Sequence, residues 1–142
     1  MDENRSRIYQ YLEQITEEIE KTIVLASDVF YYLQQAVYVY IVLDPEKLTT
    51  HECRVREQES TSLINRLQEF RKIIEQLMEL YEFTVCEAKN CNHSTLLDRL
   101  EKDIKCKITE LLDKVLYKEQ QVDRYQIKLT VRQNETKFAK RE

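Results

Sequence analysis

The chain has no glycine, one proline and no tryptophan among its 142 residues. Average glycine usage of about 7% would give about ten glycines. Phosphate-binding loops and dinucleotide fingerprints need glycine for close backbone approach, so the sequence excludes both. Most tight hairpin turns and glycine-ended helices are disfavoured for the same reason. This composition predicts long helices joined by few turns.

The first ten residues, MDENRSRIYQ, are polar and lack the apolar segment of a secretory signal. Without such a signal, the four cysteines are expected to be free thiols in a reducing compartment. We therefore expect an intracellular protein, in the cytoplasm or the nucleus. The alternative is a secreted short helical-bundle ligand, stabilised by disulfides among Cys53, Cys86, Cys91 and Cys106.

The net charge of −4 is unevenly distributed along the chain. Residues 1–43 carry three basic and seven acidic side chains, whereas residues 91–142 carry twelve basic and nine acidic ones. Opposite charges of this kind attract each other within an antiparallel bundle or steer a charged partner. Nucleic-acid binding requires a basic surface, so the acidic first segment favours no nucleic-acid partner.

A long first helix is predicted over residues 5–43. Steps of three and four residues separate its main apolar stripe, formed by Ile8, Leu12, Ile15, Ile19, Ile23, Ala26, Phe30, Leu33, Val37 and Ile41. From Ile23 onward a second stripe joins the first, formed by Leu25, Val29, Tyr32, Ala36, Val39 and Leu43. A helix that is apolar over so much of its circumference is buried on more than one side.

The second helix has two possible starting points. Asp44 can cap a helix that begins at Pro45, and Thr49 with Glu52 has the spacing of a capping box. Whether residues 44–62 are helix or loop is therefore open, and the helix is predicted as 45–87 or as 63–87. Its apolar heptads comprise Leu63, Leu67, Phe70, Ile74, Leu77 and Tyr81.

A loop is predicted at residues 88–95, where an asparagine replaces glycine at the left-handed end of a helix. Ser94 or Thr95 then caps a third helix, about 94–130. Residues 1–132 are expected to form a single domain, followed by a polar, basic tail at 133–142. Three helices of similar length predict an all-α fold, either an elongated antiparallel bundle or a bent coiled coil.

Cys86, Cys91 and His93 form a C-x4-C-x-H pattern, and Cys106, or alternatively Cys53, could supply the fourth ligand. Structural zinc sites combine two pairs of ligands, each pair closely spaced in sequence. Since the second pair is missing here, Cys86, Cys91, His93 and Cys106 are only weak metal candidates. We expect no bound metal and no other cofactor.

Catalysis by a cysteine needs a neighbouring base. Cys53 and His51 are close in sequence, but side chains two positions apart on a helix point in different directions. We therefore expect no enzymatic activity and no small-molecule substrate.

The segment 23–43 is long enough to cross a membrane. Asp28 would be costly near its centre, however, and the amphipathic pattern of residues 8–20 continues through it, so no membrane partner is favoured.

The wide apolar surface of the first helix needs a cover, because an open surface of this kind marks an association site. In a three-helix hairpin the segment facing it is the polar stretch 45–62. We hypothesise that another chain covers it, with the partner-binding residues Val29, Tyr32, Ala36, Val39, Tyr40 and Leu43.

The composition and heptads resemble, in general terms, the small coiled-coil subunits of eukaryotic assemblies in chromosome segregation, vesicle tethering and transcriptional regulation. The sequence thus predicts a non-catalytic structural or adaptor subunit that works by helix–helix pairing. Its expected partners are other helical subunits, in a hetero-oligomer or a homo-oligomer.

Overall fold

The computed structural model describes the backbone of residues 2–141 and the side chains of residues 3–135. Within this range all regular structure is helical, which confirms the all-α prediction. The elements are α1 (Asp2–Ile41), a 3-10 turn (Pro45–Lys47), α2 (Thr50–Asn90), α3 (Ser94–Arg99), a π-helical turn (Leu100–Ile104) and α4 (Lys105–Arg141). The three long helices of this bundle are α1, α2 and α4.

Heptad spacing selects the buried side of α1. The buried residues are Leu12, Thr16, Ile19, Ile23, Ala26, Phe30, Val37 and Tyr40. The predicted stripe passed through Ile15 instead, but Ile15 is only partly buried. The neighbouring Thr16 is fully buried because its hydroxyl donates a hydrogen bond of 2.8 Å to the Leu12 carbonyl, which removes the cost of burying an unpaired hydroxyl.

The predicted heptads of α2 are confirmed, since all six of their residues are buried. The same spacing continues at both ends through residues that are small or polar. These are Cys53, Ser60, Thr84 and Ala88, all of them fully buried. Their apolar content is too low to stand out in the sequence, which is why the predicted helix ended three residues early, at 87 instead of Asn90.

Both predicted capping signals between α1 and α2 are used. The Asp44 carboxylate accepts a hydrogen bond of 3.1 Å from the Glu46 amide and starts the 3-10 turn. The Thr49 hydroxyl accepts a bond of 3.1 Å from the Glu52 amide and starts α2. The open question about residues 44–62 is thereby answered: the chain reverses before Thr50, and residues 50–62 are helical.

Only three residues, 91–93, connect α2 to α3. Asn92 has a left-handed φ of 57°, the role predicted for an asparagine in this loop. The predicted caps Ser94 and Thr95 are wrong, because His93 is the N-cap and its Nδ1 accepts a hydrogen bond of 3.3 Å from the Leu96 amide. The imidazole takes this role since it is buried against α1.

The π-helical turn corrects the phase of the third helical segment. Leu96, Leu100, Ile104 and Ile108 are all buried, although consecutive steps of four residues drift around an α-helix. A π turn holds more residues per turn and absorbs this drift. α4 then continues to Arg141, beyond the predicted end near residue 130. In the predicted tail, 133–142, the side chains from residue 136 onward lie outside the described residues.

The chain divides into two compact units. The first comprises residues 1–30 and 72–113, and the second comprises residues 31–71 and 114–142. Within the second unit, α2 runs antiparallel to α4. Arg71 Nε lies 3.0 Å from Glu119 Oε2, and further back along α2 Glu57 accepts a hydrogen bond of 2.7 Å from the Thr130 hydroxyl.

Candidate interaction surface

One side of α1 in the second unit is apolar and exposed. Among the predicted partner-binding residues, Tyr32 is 72% exposed, Val39 65% and Leu43 45%, and Ala36 between them is partly exposed. These four residues, spaced 4-3-4, are called the outer row below. Apolar residues at this spacing form the seam of a coiled coil, so the outer row has the pattern of a helix-pairing surface.

A second set of exposed apolar residues lies beside the outer row on α1. Tyr31, Tyr38 and Val42 are 58%, 63% and 59% exposed and are called the tyrosine row. They were not predicted as partner-binding residues, although the seven-residue step from Tyr31 to Tyr38 is a signal that they share one side. No charged residue occurs between Val29 and Leu43, so both rows are electrically neutral.

A groove between α1 and α2 adjoins the outer row in the second unit. Ala36, Val39 and Leu63 contribute its apolar part, and Arg56 and Glu59 contribute its charged α2 side. The remaining lining residues are Gln35 and Tyr40. The polar start of α2 thus leaves a channel along the outer row, as expected for a segment too polar to cover an apolar surface.

Tyr40 is a correction to the predicted surface, because only 6% of it is exposed. Its hydroxyl donates a hydrogen bond to the Arg56 carbonyl, and Arg56 Nη1 donates one of 3.0 Å to the Tyr40 carbonyl. Tyr40 follows the buried Val37 by three residues and so continues the inner heptads. The predicted stripe continued instead to Ile41, which left Tyr40 on the wrong side.

The buried tyrosines hold the C-terminal end of α1 in place. The Tyr125 hydroxyl donates a hydrogen bond of 2.7 Å to the Leu43 carbonyl, which lies beyond the last turn of the helix. Burial raises the pKa of Tyr40 to about 12 and also raises the pKa of Tyr125. Both hydroxyls are therefore neutral donors near neutral pH. Their hydrogen bonds hold the end of α1 that contains the outer row.

Val29, the remaining predicted partner-binding residue, belongs to the first unit and is 50% exposed. Leu25 and Val24 are also exposed in that unit. The outer row and tyrosine row of the second unit are therefore not the whole of the exposed apolar surface of α1.

The weak metal candidates do not come together as a metal site. Among the residues that the structure describes, no group of three or more His, Cys, Asp or Glu side chains is placed to hold a metal ion. Cys86 and Cys106 are exposed, Cys91 is partly exposed and all of them are free thiols. Both imidazole nitrogens of His93 form hydrogen bonds within the first unit.

His93 joins the α2–α3 loop to α1. Its ring stacks on Tyr9, with centroids 4.0 Å apart and planes inclined by 18°. Because Nδ1 accepts the Leu96 amide, Nε2 carries the proton and donates to Glu13 Oε1 at 3.2 Å. The Tyr9 hydroxyl in turn donates to the Cys91 carbonyl at 3.0 Å. This cluster is a structural clamp with no position left for a ligand on the imidazole nitrogens.

The remaining cysteine, Cys53, is fully buried. Its Sγ lies 4.0 Å from the Pro45 carbonyl oxygen, and burial is the main cause that raises its pKa. A thiol kept protonated is a poor nucleophile. His51, two residues earlier on α2, is exposed, whereas the Cys53 thiol is buried.

No helix among the described residues combines the length and apolarity needed to cross a lipid bilayer. Comparison with known proteins found no matching family model, no matching curated protein and no matching solved structure.

Proposed function

We propose that this chain is a non-catalytic structural or adaptor subunit of a multi-protein assembly inside the cell. It acts through helix–helix pairing, with the outer row of α1 as the contact surface. The single observation that supports the proposal is the exposure of Tyr32, Val39 and Leu43 at coiled-coil spacing. A large apolar surface on a folded chain is characteristic of a site for another protein.

The character of the surface supports a protein partner. Tyrosine is enriched at interfaces because its ring contributes a large apolar area while its hydroxyl remains at the wet edge. The outer row and the tyrosine row together expose Tyr31, Tyr32 and Tyr38 on one helix. An uncharged helix side of this kind fits the apolar stripe of another helix.

The test compares two matched substitutions in the cells that express the protein. Val39→Lys places a charge in the outer row, and Ile127→Lys places one on an α4 residue of similar exposure, 65% against 62%. Tagged wild-type and variant chains are purified, and the co-purifying proteins are quantified by mass spectrometry. Circular dichroism of the two variants verifies that each keeps its helical fold.

We expect Val39→Lys to reduce recovery of a helical partner at least about tenfold, as for a central interface residue. Ile127→Lys should retain that partner at the wild-type level. Equal recovery by both variants would contradict the proposal, since the outer row would then have no part in the association.

A further inference from the structure

The α2 side of the groove carries one charge of each sign. Arg56 and Glu59 are less than one helical turn apart, and both line the groove beside the outer row. Glu59 is exposed, whereas Arg56 is partly exposed and donates one of its N–H groups to the Tyr40 carbonyl. A guanidinium has five N–H donors, so this bond does not exhaust Arg56.

Positions along the groove can be matched between α2, which carries these two charges, and α1. Arg56 exchanges hydrogen bonds with Tyr40, so the two residues are at the same height of the groove. Because the chain reverses between α1 and α2, the two helices run antiparallel, and Glu59 lies nearly one turn from Arg56, near the height of Ala36. The midpoint between Arg56 and Glu59 consequently coincides with the middle of the outer row.

The outer row has the same spacing in both directions, 4-3-4. When two such rows pair antiparallel, Ala36 of one chain faces Val39 of the other, and Tyr32 faces Leu43. Each contact is apolar, and no like charges meet because the segment from Val29 to Leu43 is uncharged. The row is thus complementary to itself.

We propose that a second copy of this chain occupies the α1–α2 groove, in a two-fold symmetric antiparallel contact. The inference rests on the proposed function and names the occupant of its contact surface. In a two-fold contact the same patch serves both chains, and any contact between two different residues is formed twice. Arg56 of each copy then faces Glu59 of the other, so that the groove is complementary to itself in charge as well as in shape.

The exposed area predicts a small interface. A tyrosine side chain buries about 200 Å² when it is fully covered, so Tyr32, which is 72% exposed, contributes about 140 Å² per chain. With Val39, Leu43 and the α2 side of the groove, two copies would bury less than about 1,000 Å², the size of a weak, transient interface. We therefore expect a dissociation constant in the micromolar range, about 1–100 µM.

The test uses the purified full chain and measures its mass by sedimentation equilibrium up to about 100 µM. The wild-type chain is expected to dimerise. Glu59→Arg and Arg56→Glu each bring like charges together and should weaken the dimer about threefold to tenfold, as exposed ion pairs do. An equimolar mixture of these two variants restores opposite charges at both contacts and should dimerise at least as well as the wild type.

Two lysine substitutions at exposed apolar positions, one in the outer row and one outside it, belong to the same experiment. Val39→Lys should weaken the dimer at least about tenfold, whereas Ile127→Lys on α4 should leave it unchanged. If Arg56→Glu loses its fold because Arg56 also supports Tyr40, Glu59→Gln replaces it. Charge reversal at Glu59 must then weaken the dimer more than neutralisation does.

A monomer at the highest concentration overturns the inference. A dimer that is insensitive to Glu59→Arg and Val39→Lys overturns it as well, and so does a mixture of two folded charge variants that shows no rescue. If the chain is monomeric but Val39→Lys still releases a helical partner in cells, the second copy is ruled out and the proposed function stands.

Discussion

Tyr40 of α1 and Tyr125 of α4 pack edge to face, with ring centroids 4.9 Å apart and planes inclined by 69°. Each hydroxyl also donates to a carbonyl of another element, Tyr40 to Arg56 and Tyr125 to Leu43. Aromatic pairs of this geometry contribute about 0.5–1.5 kcal/mol beyond their buried area. The pair therefore fixes the end of α1 that carries the outer row.

Tyr125→Phe should lower the free energy of unfolding by about 1 kcal/mol. The ring contact with Tyr40 remains, but the Leu43 carbonyl loses its donor. Urea denaturation measures the effect, with an unchanged denaturant slope. Tyr117→Phe is the matched control, because Tyr117 is 54% exposed on the same helix and its change should fall within about 0.5 kcal/mol of zero. Equal effects of the two substitutions would show that the Tyr125 hydroxyl contributes nothing.

Alkaline pH should destabilise the fold through Tyr40. Its pKa rises from 10.0 in the unfolded chain to about 12 in the folded one, so between these values the folded state binds more protons. The contribution of Tyr40 to the free energy of unfolding is therefore fully present below pH 10. It decreases by about 2 kcal/mol as the pH rises towards about 12. Tyr125 acts in the same direction.

Tyrosinate absorbance, followed during a pH titration, checks this prediction. Tyr40→Phe should remove a late-ionising tyrosine and flatten the dependence of the urea midpoint on pH above 10. A titration in which every tyrosine ionises together near the ordinary value would contradict it.

His93→Ala should destabilise the first unit by about 1–2 kcal/mol. The substitution removes the N-cap of α3, the hydrogen bond to Glu13 and the stacking on Tyr9. His51→Ala is the control, since His51 is exposed and its loss should change stability by less than about 0.5 kcal/mol. Thermal melts followed by circular dichroism compare the two, and indistinguishable melts would mean that the His93 clamp is not formed.

Thiol counting separates the proposed subunit from the secreted ligand. In the native chain, Cys86 and Cys106 should react quickly with a disulfide-exchange reagent and Cys91 more slowly, while buried Cys53 stays protected. All four thiols should react after denaturation without reductant. Recovery of fewer than four from protein purified without reductant would instead favour the disulfide-stabilised ligand.

The heptads of α2 were predictable because their signal is local. Six large apolar residues at steps of three and four identify a buried helix side without knowledge of its neighbours. The buried Thr16, Ser60 and Thr84 were not predictable in this way. Each is acceptable in the interior only because its hydroxyl bonds to a carbonyl of the preceding turn, and such a bond is visible only in the folded helix.

The residues of the candidate surface also differ in how well the sequence predicted their exposure. Tyr32, Val39 and Leu43 were selected from the second stripe and are exposed in the structure, and their binding to a partner stays a prediction. Tyr40 was selected with them and is buried. One residue of difference in helical phase moves a side chain by about 100° around the helix, so a stripe traced by hydrophobicity alone assigns such boundary residues poorly.

The sequence by itself determined the helical fold, the long helices and their principal turns. The signals are the lack of glycine, the apolar periodicity and the capping residues. Each is local in the sequence, so no tertiary contact is needed to recognise it. Only the tertiary structure decided that His93 caps α3, that Tyr40 faces inward and that Arg56 and Glu59 border the outer row. These relationships join residues that are distant along the chain, and the packing of one helix against another is the physical cause that brings them together.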